Sequence, residues 1–157
     1  MTTAGLYTLV IVDMQPSFKA SRAVVSAVED EVRRAVSAKA SVVVLQYRNR
    51  GRTHRQIMDL LEETGVRYSV AWKDRDDGSD HVERICLDKG YERSVFRLCG
   101  VNTHACVKRT AVGLTRRYAR VRIEIATAAC NGPSSNNWKR FPRHRNIHLD
   151  FDLEKAA

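Results

Sequence analysis

No apolar run in this chain of 157 residues approaches the length a helix needs to cross a bilayer, so a membrane span is not expected. The N-terminus has no basic region followed by an apolar stretch, and secretion is not expected either. Cysteine is sparse and unpatterned. Cys86, Cys99, Cys106 and Cys130 show neither CxxC spacing nor a disulfide framework, which suits a reducing cytoplasm. Internal repeats, low-complexity tracts and an interdomain linker are absent, which leaves one domain over residues 1–157. Acidic side chains are the scarcer charge, 18 against 27 lysines and arginines, for a net +9. Such a balance permits contact with nucleic acid or steering of anionic ligands. The cations are dispersed, however, apart from Arg48, Arg50, Arg52 and Arg55 and from Lys139, Arg140, Arg143 and Arg145, and no nucleic-acid motif accompanies them. A solvated basic surface is expected, and nucleic acid is not the expected partner.

What is present is enough apolar sequence for a real core, 43% of the chain, arranged as alternating strands and helices. Leu9-Val10-Ile11-Val12 is a continuous apolar run ending at Asp13, the habit of a central parallel strand buried on both faces. Residues 21–38 carry Val25, Val28, Val32 and Val36 at helical spacing. Ser41–Tyr47 is a second strand, and strand, helix, strand in that order argues for a right-handed parallel crossover. Thr53-His54-Arg55-Gln56 has the capping-box form ahead of Ile57, Leu60 and Leu61, and Gly65 stops that helix. Arg67–Trp72 reads as a strand delivering Lys73. A helix from Asp80 ends at Gly90. Ser94–Cys99 reads as a strand closed by Gly100, followed by a helix running to about Arg117. Val121–Ile125 alternates strictly, so one face of that strand should be only partly covered. Gly132–Asn137 reads as a loop and Asn146–Phe151 as a last strand. The fold class is α/β: a single-domain, three-layer, doubly wound (Rossmann-like) parallel sheet.

Three residues carry the chemistry. Thr103 is a candidate N-cap for the helix after Gly100, and Cys106 falls in its first turn. Unpaired amides and the positive helix end favour a thiolate there, and the same amides suit a developing oxyanion. Taken alone, Cys106 reads first as a small buried hydrophobe, and Asp13 equally as an N-cap or a turn residue ahead of Pro16. Asp13, Lys73 and Cys106 nevertheless each follow the carboxyl end of an expected strand. Doubly wound sheets gather those ends around one crevice. Asp13 is then placed to take the thiol proton and Lys73 to stabilise the anionic pair.

The LVIVDMQPSF stretch, Lys73 and CGVNTHACVKRTA together resemble the isochorismatase-like cysteine hydrolases, a family that includes nicotinamidases and carbamoylsarcosine amidases. The resemblance runs from about Leu6 to Ala129, and the step from Lys73 to Cys106 has the usual family length. It implies an isochorismatase-like hydrolase fold and an Asp13–Lys73–Cys106 triad. It also implies a cis peptide between Val101 and Asn102, with the Asn102 and Cys106 N–H groups as the oxyanion hole. Cys106 would attack a carbonyl, expel ammonia or an amine, and leave a thioester for water to hydrolyse. Isochorismatases proper lack the cysteine, so its presence favours amide-type substrates. Dimers and tetramers are common among similar proteins, so a homo-oligomer is compatible with the resemblance.

The chain also departs from that pattern. Lys73 is usually followed by proline and a small-residue-plus-Phe motif; here Asp74-Arg75-Asp76-Asp77-Gly78-Ser79 stands instead. The stretch that carries an Asp-x-His metal motif in nicotinamidases has one histidine, His54, and no nearby carboxylate, so no metal and no other cofactor is expected. Phe18, Trp72 and His104 are candidate pocket walls. As ordinary core aromatics, Phe18 and Trp72 would look the same in sequence, and His104 reads more readily as a solvent-facing first-turn residue. A catalytically weakened relative that binds a small molecule is the alternative reading.

Overall fold

The computed structural model describes residues 6–131 and 137–151. β1 (Thr8–Val12) is buried along its whole length because it has a parallel neighbour on each side. Those neighbours are β2 (Ser41–Tyr47) and β4 (Val95–Gly100). β3 (Tyr68–Lys73) lies outside β2, and β5 (Arg122–Cys130) and β6 (Ile147–Leu149) continue beyond β4. The six strands are all parallel in the order β3-β2-β1-β4-β5-β6. The order reverses between β1 and β4, where a doubly wound sheet opens a crevice at its carboxyl edge.

Strand alternation sends side chains to two cores. Leu9, Ile11, Val42 and Val44 face one layer, formed by α1 (Arg22–Ala38) and α2 (Arg55–Thr64). Val10, Val12, Val43 and Leu45 face the other, formed by α3 (Ser79–Lys89) and α4 (Lys108–Arg117). α1 buries Val24, Val25, Val28, Val32 and Ala35, and each buried valine stabilises by about 1.5–2 kcal/mol. Ser21 caps it by accepting from Val24 N at 3.2 Å. No helix among the described residues is long and apolar enough to cross a membrane.

Four expectations change. Thr53 does not cap α2: its N–H and hydroxyl both bind Gln46 Oε1, at 2.8 and 2.9 Å, and His54 takes the cap position without a side-chain bond. β4 begins at Val95 and includes Gly100. The last strand is shorter than expected, spanning only Ile147–Leu149. The face of β5 read as partly wet is closed at Glu124, only 2% exposed, and stays partly covered at Arg122, 35% exposed. The reason lies on the neighbouring strand. Arg97, itself 3% exposed, reaches Glu31 of α1 at 2.6 and 3.0 Å, Asp150 at 3.1 Å and Glu124 at 3.5 Å. A charge this deep is tolerable only because it is paired on several sides. Of the expected loop Gly132–Asn137, residues 132–136 lie outside the described residues.

Candidate active site

Asp13 is the residue after β1, held with φ 51° in the left-handed region, and its N–H donates to Leu45 O at 3.0 Å. Opposite it the chain passes very close. Gly100 has φ 118°, and a Cβ built there would lie 2.1 Å from Val12 O. Only glycine permits that approach. Immediately beyond, the Val101–Asn102 peptide is cis. A π-helical turn over Thr103–Val107 then leads into α4 and carries Cys106. Asn102, not Thr103, occupies the cap position. Thr103 instead donates through its N–H and hydroxyl to Asn131 Oδ1, at 2.6 and 3.1 Å, and Asn131 also binds the Asn102 side chain at 3.0 Å. The Asn102 and Cys106 amides both belong to this anchored turn.

Lys73 closes β3 and is fully buried. Its ammonium has three protons and three acceptors: Asp13 Oδ2 at 2.9 Å, Arg75 O at 3.1 Å and Cys106 Sγ at 3.4 Å. The Tyr47 ring lies 4.3 Å from the same nitrogen, a cation–π contact. Asp13, Lys73 and Cys106 are thus brought together at one edge of the sheet. The other oxygen of Asp13, Oδ1, is buried with no hydrogen-bond partner among the described residues. Burial raises the Asp13 pKa, while the Cys106 thiol and the Lys73 ammonium oppose the rise.

The thiolate expected at Cys106 is not favoured in this arrangement. Cys106 is only 6% exposed, and burial, followed by the Asp13 carboxylate, pushes the thiol up to about 12. Lys73 pulls the other way and is outweighed.

The candidate walls separate into three cases. Phe18 is half-buried, edge-on to Tyr47 with ring centres 6.3 Å apart, and so adjoins the Lys73 side of the site. Trp72 does not adjoin it. It is 40% exposed on the face of β3 opposite Lys73, in a groove with Met58, Glu62 and Val70 beside α2. His104 turns to the C-terminal segment: its Nε2 accepts from Asn137 N at 3.3 Å and its ring meets Phe141 at 6.2 Å. Two residues that the sequence did not single out complete the site. Gln15 is fully buried, exchanges bonds of 2.8 Å with both backbone groups of Tyr47, and donates to Gly51 O at 2.6 Å. Asp76 places Oδ1 3.6 Å from Cys106 Sγ. Among the described residues no three His, Cys, Asp or Glu side chains gather as metal ligands.

No family model matches the chain, and no curated protein matches it. Solved structures do. The chain is similar to a nicotinamidase/pyrazinamidase from Bacillus subtilis at 16% identity and TM-score 0.72, covering 92% of this chain and 98% of that one. It is similar to the N-carbamoylsarcosine amidase of Thermoplasma acidophilum at 20% identity and TM-score 0.66, over 92% and 95%. It is also similar to the MAR1 ribonuclease of Caenorhabditis elegans at 15% identity and TM-score 0.67; there 81% of this chain matches, and it spans 65% of the longer protein. At such identities the likeness speaks to architecture, and an isochorismatase family protein shares it as well. The six-stranded parallel sheet and its flanking helices are therefore the isochorismatase-like hydrolase fold.

Proposed function

We propose that this protein is a cytoplasmic cysteine hydrolase that cleaves a small amide or related C–N bond. The observation that carries the reading is a single buried ammonium, Lys73 Nζ, bonded at once to Asp13 and to Cys106. Solved proteins of the same fold are named for amide substrates, nicotinamidase and N-carbamoylsarcosine amidase among them, and they support the substrate class.

In this reading the Cys106 thiol passes its proton to Asp13 as sulfur attacks the carbonyl carbon. The carbonyl π pair moves onto oxygen, where the Asn102 and Cys106 N–H groups receive it. Collapse of the tetrahedral species expels ammonia or an amine, which takes the proton back from Asp13 and leaves a thioester on Cys106. Water then attacks the thioester and gives its proton to Asp13. Sulfur departs, is reprotonated, and the carboxylic acid product is released. Because the resting thiol is held protonated, proton transfer and attack belong to one event. Lys73 keeps Asp13 charged enough to accept and steadies the sulfur as it becomes an anion.

The test is ammonia release from a panel of small primary amides. Cys106→Ala should abolish turnover while thermal melting stays close to that of the parent, and Asp13→Asn should cut the rate by at least about a hundredfold. Undiminished turnover in either variant would sink the mechanism. The raised thiol pKa favours a second reading, a weakened relative that binds a small molecule without turning it over. An inert panel, with amides from it still bound by the folded protein, would favour that reading.

A further inference from the structure

Three charged side chains stand at the Cys106 sulfur or directly behind it, and they differ in access. Asp13 and Lys73 are 1% and 0% exposed, whereas the Asp76 side chain is 40% exposed. A ligand approaching the sulfur from solvent therefore meets Asp76 before the other two. Its carboxylate is held in place from both ends. Oδ2 pairs with Arg109 Nε at 3.4 Å, and Arg109 is itself 60% exposed, so that partner is screened by water. The backbone of the loop is fixed to α4: the Thr110 hydroxyl contacts Asp76 O at 3.4 Å and accepts from Gly78 N at 3.1 Å. Asp77 Oδ1 accepts from Ser79 N at 2.8 Å, and a Cβ at Gly113 would fall 2.5 Å from that oxygen. The remaining oxygen, Oδ1, takes its donor from the thiol itself. Once the thiol gives up its proton, that acceptor is left to water, which a ligand donor can displace. It then stands 3.6 Å from the sulfur with a negative charge and a lone pair open to a new donor.

We propose that Asp76 is the specificity-determining residue of this site, accepting an N–H or ammonium donor carried beside the scissile carbonyl. The substrates it admits are small amides or ureas that are neutral or cationic at that end, and it turns away those with a carboxylate there. This rests on the hydrolase reading for its chemistry, but the electrostatic part is measurable without turnover.

Of the four cysteines, Cys86 is 1% exposed and Cys99 and Cys130 are 0%, so Cys106 at 6% is the accessible thiol. Methanethiosulfonates of equal size carrying a trimethylammonium, no charge or a sulfonate react with it by displacing sulfinate, and each rate is divided by its rate with a small free thiol. The corrected ratio of cationic to anionic rates should fall roughly tenfold in Asp76→Asn and rise in Arg109→Gln, which unmasks the carboxylate. A ratio that stays within about twofold in Asp76→Asn overturns the proposal. In the turnover arm, glycinamide is compared with oxamate, and Asp76→Asn should shrink the preference for glycinamide by a similar factor. Labelling that responds as expected beside an inert amide panel faults the hydrolase reading and leaves Asp76 as a charge selector. Turnover beside unresponsive labelling does the opposite.

Discussion

Asp13 has to be a carboxylate before it can receive a proton, and its position works against that. Burial lifts its pKa above the usual 3.8, and only Lys73 and the thiol pull it back. In the proposed mechanism the rate therefore follows deprotonation of Asp13, while Cys106 remains a thiol up to about 12. The profile of kcat/KM against pH should show one acidic limb, displaced upward from the ordinary carboxylate range, and then a plateau through neutrality. A rate that instead climbs through pH ~8.5 would mean that a free thiol ionises without Asp13, contrary to the mechanism. At this scale the sequence was informative where residue type and strand end coincide, as at Asp13, Lys73 and Cys106. Asp76 was hidden because a run of four acidic and basic side chains after Lys73 looks like any solvated loop. Nothing local to it records that Thr110 and Gly113, a helix away, draw the loop onto the sulfur. The thiolate expectation erred for a related reason: helix position was visible in the sequence, and depth of burial was not.

Among the elements, the junction of β1 and β4 sets the geometry of everything at the carboxyl edge. Val12 pairs with Gly100, and Val101 N donates to Val12 O at 3.0 Å. Gly100→Ala would drive a Cβ to within 2.1 Å of a backbone oxygen, at a φ of 118° that side chains rarely adopt. Backbone has no rotamer with which to yield. The substitution should cost roughly 3 kcal/mol or more and disturb Asp13 and Asn102 together, as read by urea denaturation. A variant as stable as its parent would contradict this close approach. The strands themselves were legible because continuous apolar runs such as LVIV and SVVVL leave little choice. The alternation in Val121–Ile125 misled, since a charge at every second position signals a wet face unless a buried counter-charge waits on the next strand. Arg97 is that counter-charge, and pairing between strands β4 and β5 is information the local pattern does not hold. The short π turn around Cys106 has no sequence signature comparable to a capping residue or a proline.

Across the whole molecule, groups that resist ionisation are spread over both cores. Burial pushes Cys86 up to about 11, and Tyr7 and Cys130 up to about 12, alongside Cys106. In the unfolded chain the thiols ionise near 9, so between pH 9 and 12 the unfolded state holds fewer protons than the folded one. Stability from these groups is complete below pH 9 and drains away as pH rises toward the folded values. Each thiol contributes up to ~1.4 kcal/mol per pH unit in that window. The urea midpoint, measured under reducing conditions, should fall steeply from pH 9 to 11 and less steeply in Cys130→Ala; a flat curve would refute the burial described. Another long-range tie has a practical side. Asp150 reaches back to Arg97 in the middle of the sheet and holds Thr127 N at 3.1 Å, so one residue near the end of the described chain is stitched into its centre. An exopeptidase that nibbled past Asp150, or a fusion partner joined directly after Leu149, would take one of three carboxylates from a buried guanidinium and leave it to Glu31 and Glu124, loosening the protein from its C-terminal side.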